Sequence, residues 1–425
     1  MSWHLLFITA LIVITLAYSF RTVRIVYMKK LIVPLLCTIF ILCLIIFSKT
    51  AVAAAYKGIR LWLEIVFPSL FPFFVASELL NKTGFVKAVG ALLEPVMRPL
   101  FNVPGCGSFA LAMGITSGYP VGARITAEMR REKLLTKVEA ERLLTFTNNS
   151  GPLFIIGAVS VGMFKMPQIG VFLLACHILA GITVGFIFRF YKRKRKPSTH
   201  VSERNVFKKF RYELASSRVS SNLGQTLGDA VRNSVNLLLT IGGFIIFFSV
   251  IINLLLETGL IHGFTEILSS FLSPLGISEG VIISVISGIF EITTGTNMAG
   301  SADAQLIQRL TSASIIIGWA GLSVHSQVFS IISSTDISIK PYLLGKFMQG
   351  IFAGIYTYGF IMLARPELLQ VQPAFVPGQS SETGPFQIII YSLKYLVTAM
   401  ALVALPALIY AAGATIRRTR ARIHG

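Results

Sequence analysis

Glu291 is the first candidate for chemistry, because no other charged residue occurs between Val281 and Met298. A charge in the hydrocarbon core of a membrane costs at least about 3 kcal/mol, so such a residue usually faces a cavity, pairs with a partner or takes up a proton. We therefore expect Glu291 to bind a substrate or to couple a proton. A structural hydrogen bond is the alternative.

Hydrogen-bonding groups interrupt other apolar runs and supply further candidate contacts. Arg124 would offer a fixed positive charge to a carboxylate, or anchor the chain at the membrane surface. His325 is able to carry a proton near neutral pH, or to pack as a hydrogen-bonded histidine. The full set of predicted substrate-binding residues is Ser117, Gly118, Tyr119, Pro120, Arg124, Asn148, Asn149, Ser150, Glu291, Thr293, Thr294, Gly295, Thr296, Asn297, His325 and Ser326.

The composition places these residues in a membrane. Of the 425 residues, 54% are hydrophobic and 13% are charged, and the mean hydropathy is +0.74, whereas soluble domains carry about 25% charged residues. A bilayer is spanned by about 20 apolar residues. Nearly uncharged segments of about this length are Leu31–Phe47, Ile169–Phe190, Leu237–Leu256 and Ile388–Tyr410. The predicted fold class is an all-α polytopic membrane protein.

The net charge of +20 is explained by membrane topology. Basic residues cluster between Phe188 and Val219 and in the tail from Arg417 to Arg422. The positive-inside rule places both clusters in the cytoplasm. Anionic lipid headgroups are the alternative partner of these clusters, and we expect no nucleic acid partner.

The sequence lacks the signature motifs of several classes of protein. The four cysteines form no C-x-x-C pair, so we expect neither a metal site nor a disulfide framework. We also expect no cofactor. There is no P-loop, no H-E-x-x-H and no G-x-S-x-G motif, which argues against an ATP-driven pump and the common hydrolases. The sequence therefore predicts a protein that is not an enzyme and has no catalytic residues.

An internal repeat organises the chain. Gly84 and Gly259 are 175 positions apart (259 minus 84), and the same spacing separates Pro99 from Pro274 (274 minus 99). A basic cytoplasmic loop separates the two copies, so we predict that they have inverted topology in the membrane.

Each copy contains a short apolar segment that glycine, serine and threonine interrupt, at Gly105–Val121 and Gly280–Asn297. Irregular backbone at membrane depth is tolerated only where it is buried or lines a wet cavity. We therefore predict a re-entrant helical hairpin in each repeat, followed by a broken transmembrane helix. Such paired interruptions are the best sequence pointer to the binding site of a transporter. By contrast, the charged stretch Ala123–Arg142 predicts a solvent-exposed helix.

These patterns divide the chain into five parts. Residues 1–50 form the N-terminal transmembrane anchor, with translation beginning at Met1 or at Met28. Residues 51–190 form the first repeat and residues 223–365 the second, and the basic cytoplasmic linker 191–222 separates them. Residues 366–425 contain an exposed loop, the last transmembrane helix and the basic cytoplasmic tail.

Three runs, Gly114–Arg124, Phe146–Gly157 and Phe290–Gly295, resemble the YlbJ-type sporulation integral membrane proteins. That family carries a nucleoside-recognition, or gate, domain and looks distantly similar to concentrative nucleoside transporters. The resemblance implies a multi-pass protein of the bacterial cell membrane, in the outer forespore membrane of sporulating cells, that moves dipicolinate. The run Thr116–Pro120 lacks the Gln-Thr-Glu cluster of nucleoside transporters, which disfavours a nucleoside as the substrate.

The sequence thus predicts a transporter or facilitator of a small anionic metabolite, with dipicolinate favoured by the resemblance and the lipid bilayer as its surroundings. The alternatives are a transporter of a nucleoside or another small solute, and a non-transporting scaffold that docks a partner through the basic linker. The sequence leaves open whether a proton or sodium is the coupling ion, and whether the chain forms a homo-oligomer.

Overall fold

The computed structural model describes residues 25–83, 93, 95–192, 211–212 and 223–364. Within these residues the chain forms helices and turns, and no strand occurs. The N-terminal segment before residue 25, most of the basic linker, the predicted exposed loop, the predicted span Ile388–Tyr410 and the basic tail lie outside the described residues.

The first half begins with two long helical stretches and continues with shorter pieces. Helix α1 is Ile25–Ile46. Helices α2 (Ser48–Arg60) and α3 (Phe67–Lys82) are joined through a π-helical segment, Leu61–Val66. The shorter pieces are α4 (Gly107–Ser117), α5 (Val121–Arg131), α6 (Lys137–Thr147), the π-helical segment Leu153–Met163 and α7 (Ile169–Phe188).

The second half repeats this order. It begins with the long helix α8 (Leu223–Glu257) and the amphipathic helix α9 (Leu260–Leu272). The remaining helices are α10 (Glu279–Phe290), α11 (Ile292–Ser301), α12 (Leu306–Trp319), α13 (Gly321–Ile332) and α14 (Ile339–Ala364). The pairs α4/α5 and α10/α11 occupy equivalent places, as do the broken helices that follow them.

The two polar-tipped segments are helix–break–helix hairpins. Helices α4 and α5 contact each other, and so do α10 and α11. Each of these four helices has between 10 and 12 residues, and at a rise of 1.5 Å per residue a helix of that length covers only about half of a 30 Å hydrocarbon core. Helices of this length are compatible with the predicted re-entry into the membrane.

The described part of the chain contains four helical stretches that are long and apolar enough to cross a membrane: Ser48–Ala76, Ile169–Phe188, Gly224–Glu257 and Leu306–Ile332. The last of them contains the break between α12 and α13. The expected spans at Ile169–Phe190 and Leu237–Leu256 are therefore present as helices. This is an integral membrane protein with an all-helical fold.

Close backbone contact holds the interior helices together. Helix α14 packs on α7 and α12, and a Cβ atom on Gly318 would lie 2.6 Å from the Cα of Gly350. A Cβ on Gly345 would meet the Thr145 side chain of α6 at 2.9 Å. Small residues allow such approach in membranes, where packing and hydrogen bonds drive helix association. These contacts position α14 beside the two breaks of the first half.

The prediction of one solvent-exposed helix over Ala123–Arg142 is wrong. The stretch forms the end of α5, a turn and the start of α6, which begins with a capping box between Thr136 and Glu139. Glu141 and Arg142 are buried. The Arg142 guanidinium donates to main-chain carbonyls of Asn102 and Tyr191, and the Glu141 carboxylate accepts from the backbone N–H of Ser338. These partners are distant in sequence, so the charge pattern alone could not reveal the burial.

Candidate functional site

The two breaks of the first half lie against each other. Gly118, at the tip of the α4/α5 hairpin, has φ = 75°, a left-handed conformation that costs little only for glycine. A Cβ atom there would lie 2.8 Å from the backbone nitrogen of Gly151, in the break between α6 and the π-helical segment. The hairpin tip therefore rests directly on the interrupted helix.

The second half has the same arrangement. Glu291 ends α10 and caps α11, so it is the break residue of its hairpin. Gly321, at the break between α12 and α13, has φ = 84°, and a Cβ on it would lie 3.1 Å from the Cα of Glu291. Each hairpin tip thus meets the broken helix of its own half.

Three of the four breaks, together with the part of α13 that follows the fourth, line one cavity of about 70 Å³. The hairpin tips contribute Ser117, Gly118, Tyr119, Glu291, Ile292 and Thr293, and the broken helices contribute Ser150, Gly151, Leu153, Phe154, Ser323, Val324 and Gln327. The remaining wall is apolar and consists of Leu70 and Phe74 of α3 with Ile241, Phe244 and Ile245 of α8. The cavity therefore has one side of mixed polar and apolar residues from the hairpin tips and broken helices, and one wholly apolar side from the long helices.

Glu291 is only 2% exposed. Its carboxylate accepts a hydrogen bond from the backbone N–H of Thr294, an N-cap that satisfies one orphan donor at the start of α11. Within the described residues it makes no ion pair. The structural hydrogen bond considered above is thus present, and the same residue also lines the cavity.

Lys346 of α14 lies directly behind the first hairpin tip. Its side chain is fully buried. The Nζ donates to the Tyr119 hydroxyl at 2.8 Å, to the Gln349 amide oxygen at 2.7 Å and to the Asn148 carbonyl at 3.3 Å. Tyr119 lines the cavity, so it connects the buried lysine to the cavity wall.

Other buried polar groups extend this network. The Asn148 amide donates to the Tyr342 hydroxyl at 3.1 Å, and that hydroxyl lies 3.3 Å from Nδ1 of His325. The Gln349 amide donates to the Asn149 side-chain oxygen at 2.8 Å. The Nε2 of His177 accepts from the backbone N–H of Ser150 at 3.2 Å. The polar residues of the first broken helix are therefore tied to α7, α13 and α14.

The structure brings six of the predicted site residues to the cavity: Ser117, Gly118, Tyr119, Ser150, Glu291 and Thr293. Asn148, Asn149 and His325 belong to the network behind it. Pro120 caps α5 after a cis peptide bond. In α11, Gly295 packs against Gly288, and the Thr296 hydroxyl donates to the Ile292 carbonyl.

The last four of the predicted residues also lie outside the cavity lining. Arg124 is exposed on α5, and the exposed Ser326 donates its hydroxyl proton to the Leu322 carbonyl of its own helix. Thr294 contributes its backbone N–H to the cap, and the Asn297 carbonyl accepts from the Ser301 hydroxyl.

Sequence reasoning missed Lys346, Gln349, Tyr342 and His177 of the network, together with Ser323 and Gln327 of the cavity wall. One signal was available, because Lys346 is the only charged residue between Pro341 and Ala364. This is the same pattern that singled out Glu291. The pairing of Lys346 with Tyr119 joins residues 227 positions apart, which no local pattern encodes.

Comparison with known proteins identifies the family. The sequence model of a family described as "Gate: Nucleoside recognition" matches residues 63–166 and 238–338. The starts of these segments are 175 positions apart (238 minus 63), the spacing of the internal repeat. The sporulation integral membrane protein YlbJ of Bacillus subtilis (strain 168) is 43% identical over 313 residues, which cover 72% of this chain and 76% of that protein. The chain belongs to this family of sporulation integral membrane proteins.

Two solved structures show a weaker similarity to this chain. CNTnw in an inward-facing, substrate-bound state shares 14% identity, with 78% of this chain and 86% of that chain covered and a TM-score of 0.46. A variant of CNTnw in an outward-facing state shares 13% identity, with 78% and 85% covered and a TM-score of 0.41. These likenesses concern helix arrangement only.

Proposed function

We propose that this member of the sporulation family transports a small anionic metabolite, with dipicolinate as the substrate, across the outer forespore membrane. The observation that carries the proposal is one cavity inside a helical membrane protein that is lined by both hairpin tips, by the break of the first broken helix and by the start of α13. Paired interruptions of this kind supply the substrate sites of transporters. Elsewhere in the membrane, the backbone N–H and C=O groups must form their hydrogen bonds within their own helices.

The starts of three helical segments support an anionic substrate. Leu153 and Phe154 begin the π-helical segment, Ile292 and Thr293 begin α11, and Ser323 and Val324 lie in the first turn of α13; all six line the cavity. The first N–H groups of a helix lack partners within it, and the helix dipole favours negative charge at that end. Carboxylates entering the cavity would meet the partial positive charge of these helix starts, although the Phe154 N–H already bonds the Gly151 carbonyl and the Glu291 carboxylate already caps α11.

The apolar side of the cavity supports a substrate with a ring. Phe74 and Phe244 line it together with aliphatic residues, and small-molecule sites commonly combine apolar walls with a few placed polar groups. Dipicolinate has a matching combination of polar and apolar parts, since its two carboxylates flank an aromatic ring. The ring would contact α3 and α8, and the carboxylates would face the breaks.

Uptake into vesicles tests the proposal directly. Purified protein is reconstituted, and uptake of dipicolinate is compared with that of its neutral diamide and of uridine, with protein-free vesicles as the control. We expect saturable uptake of dipicolinate, with the diamide and uridine near the control. Uptake of the diamide at the rate of dipicolinate would contradict selection for an anion.

A nucleoside is the second candidate, because the matching family is described by nucleoside recognition. Ser117, Tyr119 and Gln327 offer hydrogen-bonding groups in the cavity that suit sugar hydroxyls. Saturable uptake of uridine without uptake of dipicolinate would favour this candidate. Uptake of neither solute would favour a scaffold.

A further inference from the structure

Lys346 holds together the two breaks of the first half. Its side chain is fully buried on α14, yet it makes no ion pair within the described residues. Its hydrogen bonds go to Tyr119 at the hairpin tip, to the main chain of Asn148 at the end of α6, and to Gln349 one turn along its own helix. One side chain of α14 therefore links the first hairpin tip to the first broken helix, and both of these border the cavity.

The hydrogen-bond pattern is that of a cation. The Asn148 carbonyl and the Gln349 amide oxygen can only accept, and the Tyr119 hydroxyl lies 3.4 Å from the Ile317 carbonyl, to which it donates. Three acceptors match the three N–H bonds of an ammonium, which has no acceptor of its own. A neutral amine has only two N–H bonds and a lone pair, so it would fit only if the Tyr119 hydroxyl turned from the Ile317 carbonyl to donate to Nζ.

The position of these oxygens is one that attracts cations. Asn148 is the C-cap residue that follows α6, and the C-terminal end of a helix carries partial negative charge. In membrane transporters, unwound carbonyls and the C-terminal ends of half-helices coordinate coupling ions such as sodium. Here a side chain of the protein provides the positive charge at that place.

We infer that the Lys346 ammonium permanently occupies a cation site between the two breaks of the first half. The transport cycle therefore needs no sodium ion at this site. Because the ammonium is covalently attached to α14, it cannot leave with the substrate. A sodium gradient therefore cannot drive transport by way of this cation site. This inference rests on the proposed transport function for its consequence, but the cation site itself is testable without a substrate.

The test compares sodium with choline at constant ionic strength. For the parent protein we expect the same thermal unfolding midpoint in both salts, and the same uptake with and without a sodium gradient. Lys346→Ala removes the ammonium and leaves space, so it should acquire a midpoint that rises saturably with sodium concentration. Lys346→Met fills the space without charge, so its midpoint should be lowered and should not respond to sodium.

Uptake provides the second readout. Both Lys346 variants leave the Asn148 carbonyl without its donor, and we expect their uptake in choline to fall about tenfold or more. Lys340→Ala is the matched control, because Lys340 lies on the same helix and is exposed; it should match the parent in both salts.

Two results would overturn the inference. One is a saturable sodium dependence of the parent's own midpoint or uptake, and this measurement stands even where a variant does not fold. The other is parental uptake and stability in both Lys346→Ala and Lys346→Met. If the parent transports uridine in place of dipicolinate, the proposed function fails while the sodium comparison, made with uridine, still decides the role of Lys346.

Discussion

Gly118 and Gly151 touch through their backbones, because a Cβ atom on Gly118 would lie 2.8 Å from the nitrogen of Gly151. Gly118 also has φ = 75°. This contact fixes the tip of the first hairpin on the first broken helix, and it leaves Ser117 and Tyr119 at the cavity.

Gly118→Ala tests this contact. An added Cβ would strain this backbone, whose φ of 75° and ψ of −166° are essentially restricted to glycine, by about 1–3 kcal/mol, and would push the tip away from Gly151. We expect a lowered unfolding midpoint and strongly reduced dipicolinate uptake in vesicles. Gly243→Ala is the control, since nothing lies within 4 Å of a Cβ at that position in α8, and it should be neutral or slightly stabilising. Parental uptake by Gly118→Ala would show that the tip can move without consequence.

The ion pair between Arg130 and Asp336 joins α5 to the turn that follows α13, with N–O distances of 2.8 and 2.9 Å. The hydrogen bond from Arg130 lowers the pKa of Asp336 below its ordinary value. A lowered carboxyl pKa contributes stability above the ordinary pKa, and that stability is lost as the pH falls through the folded-state pKa. Because the pair is partly exposed, the contribution is less than about 1 kcal/mol.

Asp336→Asn should therefore destabilise the protein slightly at pH 7, and the difference should disappear as the pH falls through the lowered folded-state pKa of Asp336, where the parent carboxylate is protonated as well. Thermal unfolding of parent and variant across this pH range measures the effect. Asp303→Asn changes an exposed aspartate and serves as the control. An Asp336→Asn effect that persists unchanged in acid would assign the loss to something other than the ion pair.

The orientation of the two repeats is a separate prediction. Thr83 follows α3 and Thr258 follows α8, at equivalent places in the two halves. If the halves are inverted, labelling of intact cells with a membrane-impermeant thiol reagent should modify only one of Thr83→Cys and Thr258→Cys, each made in a background without other cysteines. Modification of both from outside would show that the halves have the same orientation.

The basic linker is predicted to set orientation and to carry little of the substrate chemistry, because charges in water gain only weakly from a ligand. Replacing Lys194, Lys196 and Lys208 by glutamine should leave the ratio of dipicolinate to uridine uptake unchanged. A shifted ratio with normal insertion would make the linker part of the site.

The sequence predicts the breaks better than it predicts their partners. Glycine, proline and hydroxyl residues within short apolar runs located both hairpin tips, since these residues interrupt helices by local physics. Burial of Glu141 and Arg142 was missed because their partners, Ser338 and the carbonyls of Asn102 and Tyr191, are far away in sequence. Lys346 was missed for the same reason, although its isolation in an apolar helix was visible.

Glu291 gives the sharpest prediction, because it both caps α11 and lines the cavity. A bare carboxylate would repel a dianion, so in transport it must be protonated, be paired with a cation, or hold the start of α11 in place. Glu291→Gln keeps the shape and an acceptor for the Thr294 N–H but removes the charge, and we expect normal membrane insertion with lost uptake. In a spore former, the protein should localise normally while the spores lack dipicolinate.

Glu64→Gln is the matched control, since Glu64 is exposed beside Arg60, and it should behave like the parent. Glu291→Asp, which retains charge and capping ability, should keep part of the activity. Parental dipicolinate levels in Glu291→Gln spores would make Glu291 a structural cap and would remove the main support for a substrate path along the second hairpin.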